Sequence, residues 1–173
     1  MSFGLLHLQS SNFGIDKIPE GKILCNSIKG FSVVLFYSLE RCQYSSHALH
    51  EFKKVVGTVH GINFCVLNID KNMDTVRLSR TTITPIDGVP YIMLYYNGMP
   101  KQIYPENYEF ISEQIKNFSA TVSTNILRSI SNMNQIKDKP KTPTIENIKS
   151  NSSIYYVGNP IRKRVTYLSN SSR

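Results

Sequence analysis

The chain has 173 residues, 40% of them hydrophobic and 18% charged, with a formal net charge of +8. That length fits one domain with room for an extension, and so much apolar material excludes wholesale disorder. No run approaches the ~18 consecutive apolar residues of a membrane-spanning helix, and Met1-Ser2-Phe3-Gly4 begins no signal-peptide pattern.

Charge and cysteine content narrow the class further. Residues 137–173 hold eight Lys/Arg against Asp138 and Glu146, whereas residues 1–136 hold twelve basic and ten acidic side chains. The positive balance is therefore a property of the tail. Cys25, Cys42 and Cys65 are too few for a disulfide framework. The expectation is free thiols in a reducing, intracellular compartment, in a protein that is not secreted.

In chain order, Phe3 to Leu8 reads as a short strand. Asn12 to Gly30 reads as a turn and then a helix, with Ile15, Ile18, Ile23, Leu24 and Ile28 near helical spacing, Cys25 on its apolar face, and Pro19 and Gly21 as breaks. Ser32 to Tyr37 (SVVLFY) is a short, almost wholly apolar run, the pattern of a strand buried on both faces. Ser45 to Val59 follows as an amphipathic helix. Leu49, Phe52, Val55, Val56 and Val59 form its stripe, and His47, His50, Glu51, Lys53 and Lys54 its solvated side. Ile62 to Ile69 is a second buried strand, and Asn72 to Thr81 a short polar helix. Tyr91 to Tyr96 is a third core strand, with a turn at Asn97-Gly98-Met99-Pro100 and a returning strand over Lys101 to Tyr104. Tyr108 to Phe118 is a closing helix. Residues 119–136 keep helical spacing at Val122, Ile126, Ile130 and Met133 and read as a further helix or a linker. Residues 137–173, rich in Pro, Ser and Asn, read as a basic extended arm. Alternating strands and helices imply parallel pairing, and the hairpin adds an antiparallel edge.

The chemistry sits between the SVVLFY strand and the next helix, in Ser38-Leu39-Glu40-Arg41-Cys42-Gln43-Tyr44-Ser45. Cys42 stands where a helix begins, where unpaired N–H groups and the helix dipole favour a thiolate. Arg41 adds a neighbouring positive charge. Later, Gly88-Val89-Pro90-Tyr91 brings a proline into a core strand, where a cis bond is expected. His47, His50 and His60 lack a fourth ligand at metal spacing, so no metal and no cofactor is expected.

These features together resemble the thioredoxin fold family over residues 1–118: the apolar strand, the Cys-x-x position, Asn68-Ile69-Asp70 ending the next strand, Val89-Pro90 before YIMLYYNG, and the closing hairpin and helix. The resemblance implies an α/β fold with a central mixed sheet of four to five strands flanked by helices. It implies that Cys42 is the nucleophile, and that Val89 and Pro90 form the loop that pairs with a substrate chain. Three departures stand against catalysis. Cys42-Gln43-Tyr44-Ser45 is C-x-x-S, so the resolving position is Ser45. Arg41 replaces the usual Trp. Phe36, six residues before the thiol, replaces the buried Asp that serves the second cysteine. A single thiol forms a mixed disulfide but cannot release it intramolecularly.

The arm carries two apolar clusters, Ile154-Tyr155-Tyr156-Val157 and Val165-Thr166-Tyr167-Leu168, around Arg162-Lys163-Arg164. Such segments bind by adding a strand to a sheet edge or by wrapping over a neighbour. Ile, Asn, Lys, Ser and Tyr are frequent, as in an AT-rich genome. A degenerate thioredoxin-like domain with a basic arm is similar to the thioredoxin-like proteins of large DNA viruses. The expected function is a structural or interaction protein anchored by its arm in a larger assembly, a minor capsid or virion component. The alternatives are a monothiol oxidoreductase or isomerase using Cys42, and a nucleic-acid-associated protein acting through the basic tail.

Overall fold

The computed structural model describes residues 4–137 and 165–166. Its centre is β4, Phe31–Tyr37, all seven residues of which are buried. β4 lies between β5, Ile62–Asn68, in parallel and β7, Tyr91–Tyr96, antiparallel. β1, Leu6–His7, joins the far side of β5, and β8, Met99–Ile103, closes the other edge. The sheet is thus five-stranded and mixed, in the order β1-β5-β4-β7-β8.

The unbroken apolar run of β4 follows from layers on both faces of the sheet. Side chains alternate along a strand. Phe31, Val33, Leu35 and Tyr37 enter one core, with Phe52 and Val55 of α1, Gln43–Val55, and Ile115, Phe118 and Val122 of α3, Ser112–Lys137. Val34 and Phe36 enter a second core with Leu24, Cys65 and Leu67, and with Val76 of the short helix α2, Met73–Ser79. Neither β4 face has room for a polar side chain without a partner. Ser32 has such a partner, receiving Asn26 Nδ2–H at 3.2 Å.

The segment from Asn12 to Gly30 departs from the helix expected there. After a 3-10 turn at Ser10–Asn12 it forms a β-hairpin of β2, Phe13–Ile18, and β3, Gly21–Asn26. The decisive period is two. Phe13 and Ile15 turn toward the second core while Gly14 and Asp16 face solvent. Pro19 and Gly21, which interrupt a helix, are at home in the hairpin bend, where Gly21 has φ +143°. Cys25 accordingly sits on a strand, half-buried opposite Gly14.

Four smaller differences each have a local cause. Pro100 lies on β8 opposite Tyr95, next to a register shift on an edge strand, where its missing N–H is tolerated. α3 begins at Ser112 because Tyr108 and Phe110 are used in ring contacts with the buried Tyr104. α3 also runs through residues 119–136 without a break, about 39 Å in all. Finally Glu51, expected on the solvated side of α1, is buried. Its carboxylate receives the Ser112 N–H at 3.0 Å and the Lys54 ammonium. An acceptor from α1 thereby serves an unpaired donor at the start of α3.

The hairpin is clamped to the β7–β8 turn of the main sheet and to the loop that follows α2. Asn26 N–H donates to Gly98 O at 2.9 Å, and Ile83 N–H to Lys22 O at 2.9 Å. Gly98 has φ +79°, and a Cβ there would stand 2.2 Å from the Asn26 carbonyl oxygen. Gly98→Ala is therefore expected to destabilise the fold by about 2–4 kcal/mol, read from urea unfolding. An unchanged midpoint would show that the hairpin yields without cost.

The Lys54 contact and the Ser112 N–H hold the Glu51 carboxyl down at about 2, against an ordinary 4.5. A depressed carboxyl stabilises the fold above its unfolded value and loses that contribution as pH falls through its folded value. The expected outcome is a loss of stability between pH 4.5 and pH 2. Glu51→Gln should be less stable at neutral pH and should show less of this acid-side slope in thermal melts.

Candidate functional site

The loop from Ser38 to Cys42 is built around one carboxylate. Asp70, just beyond β5, has its side chain 2% exposed. Ser38 Oγ–H donates to Asp70 Oδ1, and the N–H groups of Leu39 and Glu40 donate to Oδ2 at 2.9 and 3.3 Å. Arg41 Nε lies 4.0 Å from Oδ1, and Arg41 N–H donates back to Ser38 Oγ at 2.9 Å. A buried charge is tolerated when hydrogen bonds of this kind surround it. The Arg41 guanidinium, expected to favour a Cys42 thiolate, is thus aligned with Asp70. In the sequence Asp70 stands out only as the end of a strand pattern. Its role needs β4 and β5 side by side.

Cys42 is the residue that precedes the first turn of α1, as its place in the sequence implies, with φ −144° and ψ 105°. It is only 4% exposed, and its Sγ–H points at the Val89 carbonyl at 3.2 Å. Val89 belongs to β6, Gly88–Val89, and the Val89–Pro90 peptide is cis. The structure therefore brings Cys42, Val89 and Pro90 together. Ser45 is fully buried one turn into α1. Its Oγ accepts the Ser38 N–H at 3.2 Å, and its own N–H bonds to the Cys42 carbonyl at 3.1 Å. The hydroxyl thus supports the end of β4 rather than donating to the sulfur. Phe36 is buried between the rings of Phe13 and Tyr91, at centroid distances of 5.6 and 5.9 Å. This is an apolar pocket with no carboxylate at the position that would assist a second thiol.

Cys25 and Cys65 are also free thiols. Burial pushes the Cys65 thiol up to about 12, and burial followed by the Asp16 charge raises that of Cys25. Leu39 and Tyr44, 55% and 62% exposed, stand on either side of Cys42 in the chain. Among the described residues no three His, Cys, Asp or Glu side chains gather as metal ligands, and no helix is long and apolar enough to cross a membrane. The tail residues Ile154, Tyr155, Tyr156, Val157, Arg162, Lys163, Arg164, Tyr167 and Leu168 lie outside the described residues. Val165–Thr166 lies within them as β9 and pairs with β6.

No protein-family model matches the sequence. Uncharacterized protein 196R of Invertebrate iridescent virus 6 is 30% identical over 174 residues, spanning 97% of this chain and 91% of that protein. Uncharacterized protein 020R of Invertebrate iridescent virus 3 is 27% identical over 175 residues, spanning 97% and 94%. Among solved structures, a mutant thioredoxin from Halobacterium salinarum superposes with a TM-score of 0.50 at 12% identity, over 70% of this chain and 93% of that one. Human ERp44 form I superposes with a TM-score of 0.50 at 18% identity, over 75% of this chain. The match spans 30% of ERp44's length. At these identities the two structures establish the fold, which is that of thioredoxin.

Removing the Asp70 carboxylate should loosen the loop while leaving the sheet intact. Asp70→Ala is expected to cost about 2–3 kcal/mol, because several charge-assisted hydrogen bonds are lost and a polar site is left empty. The Leu39 and Glu40 amides should exchange with solvent faster while β4 keeps its protection. Unchanged exchange at Leu39 and Glu40 would remove Asp70 from this role.

Proposed function

From a chain that belongs to the family of iridescent-virus protein 196R, and that has the thioredoxin fold, we propose an interaction protein that does not turn over disulfides. It works as a component of a larger assembly, the virus particle, and its basic tail anchors it there. One observation carries the reading: the loop thiol is held. Cys42 is buried, its S–H is given to the Val89 carbonyl, and the position one turn on is Ser45, whose hydroxyl is tied to Ser38.

The chemistry supports it. Disulfide exchange begins when a thiolate attacks one sulfur of a substrate disulfide, expelling the other as a thiolate and leaving a mixed disulfide. Release then needs a second thiol to attack the Cys42 sulfur. Ser45 offers an alcohol there, and Phe36 supplies no base beside it. Linked parts of that second step are changed together, which fits a new role for the scaffold.

The tail supplies the anchoring surface in this reading. Arg162, Lys163 and Arg164 meet acidic groups on a protein partner, and the Ile154-Tyr155-Tyr156-Val157 cluster adds apolar contact area. A second reading, monothiol exchange through Cys42, draws on its place before the first turn of α1 beside Val89–Pro90.

Two measurements test the proposal. In a reductase-coupled insulin reduction assay, the protein should give only the background rate. Turnover like that of a dithiol thioredoxin would overturn the non-catalytic reading. In co-sedimentation with virus particles, the full-length chain should bind in a salt-sensitive way. The charge reversal Arg162→Glu, Lys163→Glu, Arg164→Glu should abolish that binding. Equal sedimentation of both proteins would defeat the anchoring role.

A further inference from the structure

β6 is a two-residue strand that joins none of the five strands of the main sheet. Its partner is β9, which runs antiparallel to it, with Gly88 opposite Thr166 and Val89 opposite Val165. Val89 is also the residue whose carbonyl receives the Cys42 thiol hydrogen. One residue therefore touches both the thiol and β9. The edge of an unpaired strand is a ready template for another extended segment, and here this chain's own residues occupy it.

We propose that Val165–Thr166 is the resident occupant of a strand-docking edge, and that while seated there it closes the side from which an extended peptide would reach Cys42. The inference rests on the reading of Cys42 as a held thiol and adds what controls access to it. Three observations converge. The pairing uses backbone groups of Gly88 and Val89, so any extended chain can compete for it. The edge directly adjoins the sulfur through the Val89 carbonyl. A two-stranded pairing of this length is weak on its own and opens readily. The tail strand then acts as an exchangeable cover: a competing extended segment that displaces it gains both the edge and the neighbouring thiol.

The test compares the full-length wild type with Val165→Pro and with the pair Val165→Pro, Thr166→Pro. Proline removes the backbone donors that β9 brings to the ladder. Two quantities are read: hydrogen exchange at the Gly88 and Val89 amides, and the rate at which iodoacetamide alkylates Cys42, separated from Cys25 and Cys65 by peptide mapping. The expected result is about tenfold faster exchange and alkylation in the double variant, with β4 protection unchanged. Equal exchange in wild type and variants, or equal alkylation, overturns the proposal. Neither readout involves disulfide turnover. A wild type that reduced insulin catalytically would remove the non-catalytic reading and leave this comparison intact.

Discussion

The buried carboxylate of Asp70 joins the sheet to the thiol. It holds Ser38 at the end of β4, and Ser38 in turn receives the Arg41 N–H and gives its own N–H to Ser45. The relay sets where α1 begins, and α1 sets where Cys42 stands. The Cys42 sulfur then reaches the Val89 carbonyl across the fold. A carboxylate taken out of water is tolerable only with such a set of donors. The loop geometry and the charge therefore require each other.

That relay fixes the surroundings of the Cys42 sulfur. In an exchange-competent loop the sulfur must meet a substrate disulfide and then be met by a second thiol. Here the sulfur is buried, its hydrogen is engaged, and Ser45 is committed to the backbone of Ser38. Phe36 packs with Phe13 and Tyr91 in the place where a carboxylate would help. Each change suits the others. An apolar ring at position 36 favours a dry second core, in which Cys42 is packed as one of the buried side chains.

The hairpin of β2 and β3 completes that second core. It lays Leu24, with Phe13 and Ile15 at its margin, over the face of β4 that carries Val34 and Phe36. α2 is too short to cover this face alone, and the hairpin extends the cover as far as Gly98 on the β7–β8 turn. The opposite face is sealed by two long helices whose contact is fixed by Glu51 at the start of α3. The two layers differ in kind, a hairpin with a short helix on one side and two longer helices on the other, yet both leave β4 without solvent.

Much of this is legible in the chain itself. SVVLFY names a strand buried twice over, the helix starting just after Cys42 carries a clear apolar stripe, and the order of elements specifies a mixed sheet with an antiparallel edge. The missing second thiol is likewise a fact of covalent structure that no folding can change. These are local or periodic properties, and local sequence holds them. The hairpin reads as a helix because Ile15, Ile18, Ile23 and Leu24 satisfy a helical period almost as well as an alternating one, and only the core they enter decides between the two. The roles of Asp70 and Glu51, the hydrogen bond from Cys42 to the Val89 carbonyl, and the meeting of β9 with β6 are decided by tertiary structure alone. Each joins residues far apart in the chain, and a hydrogen bond across such a distance leaves no pattern in the sequence until the backbone has brought its donor and acceptor together.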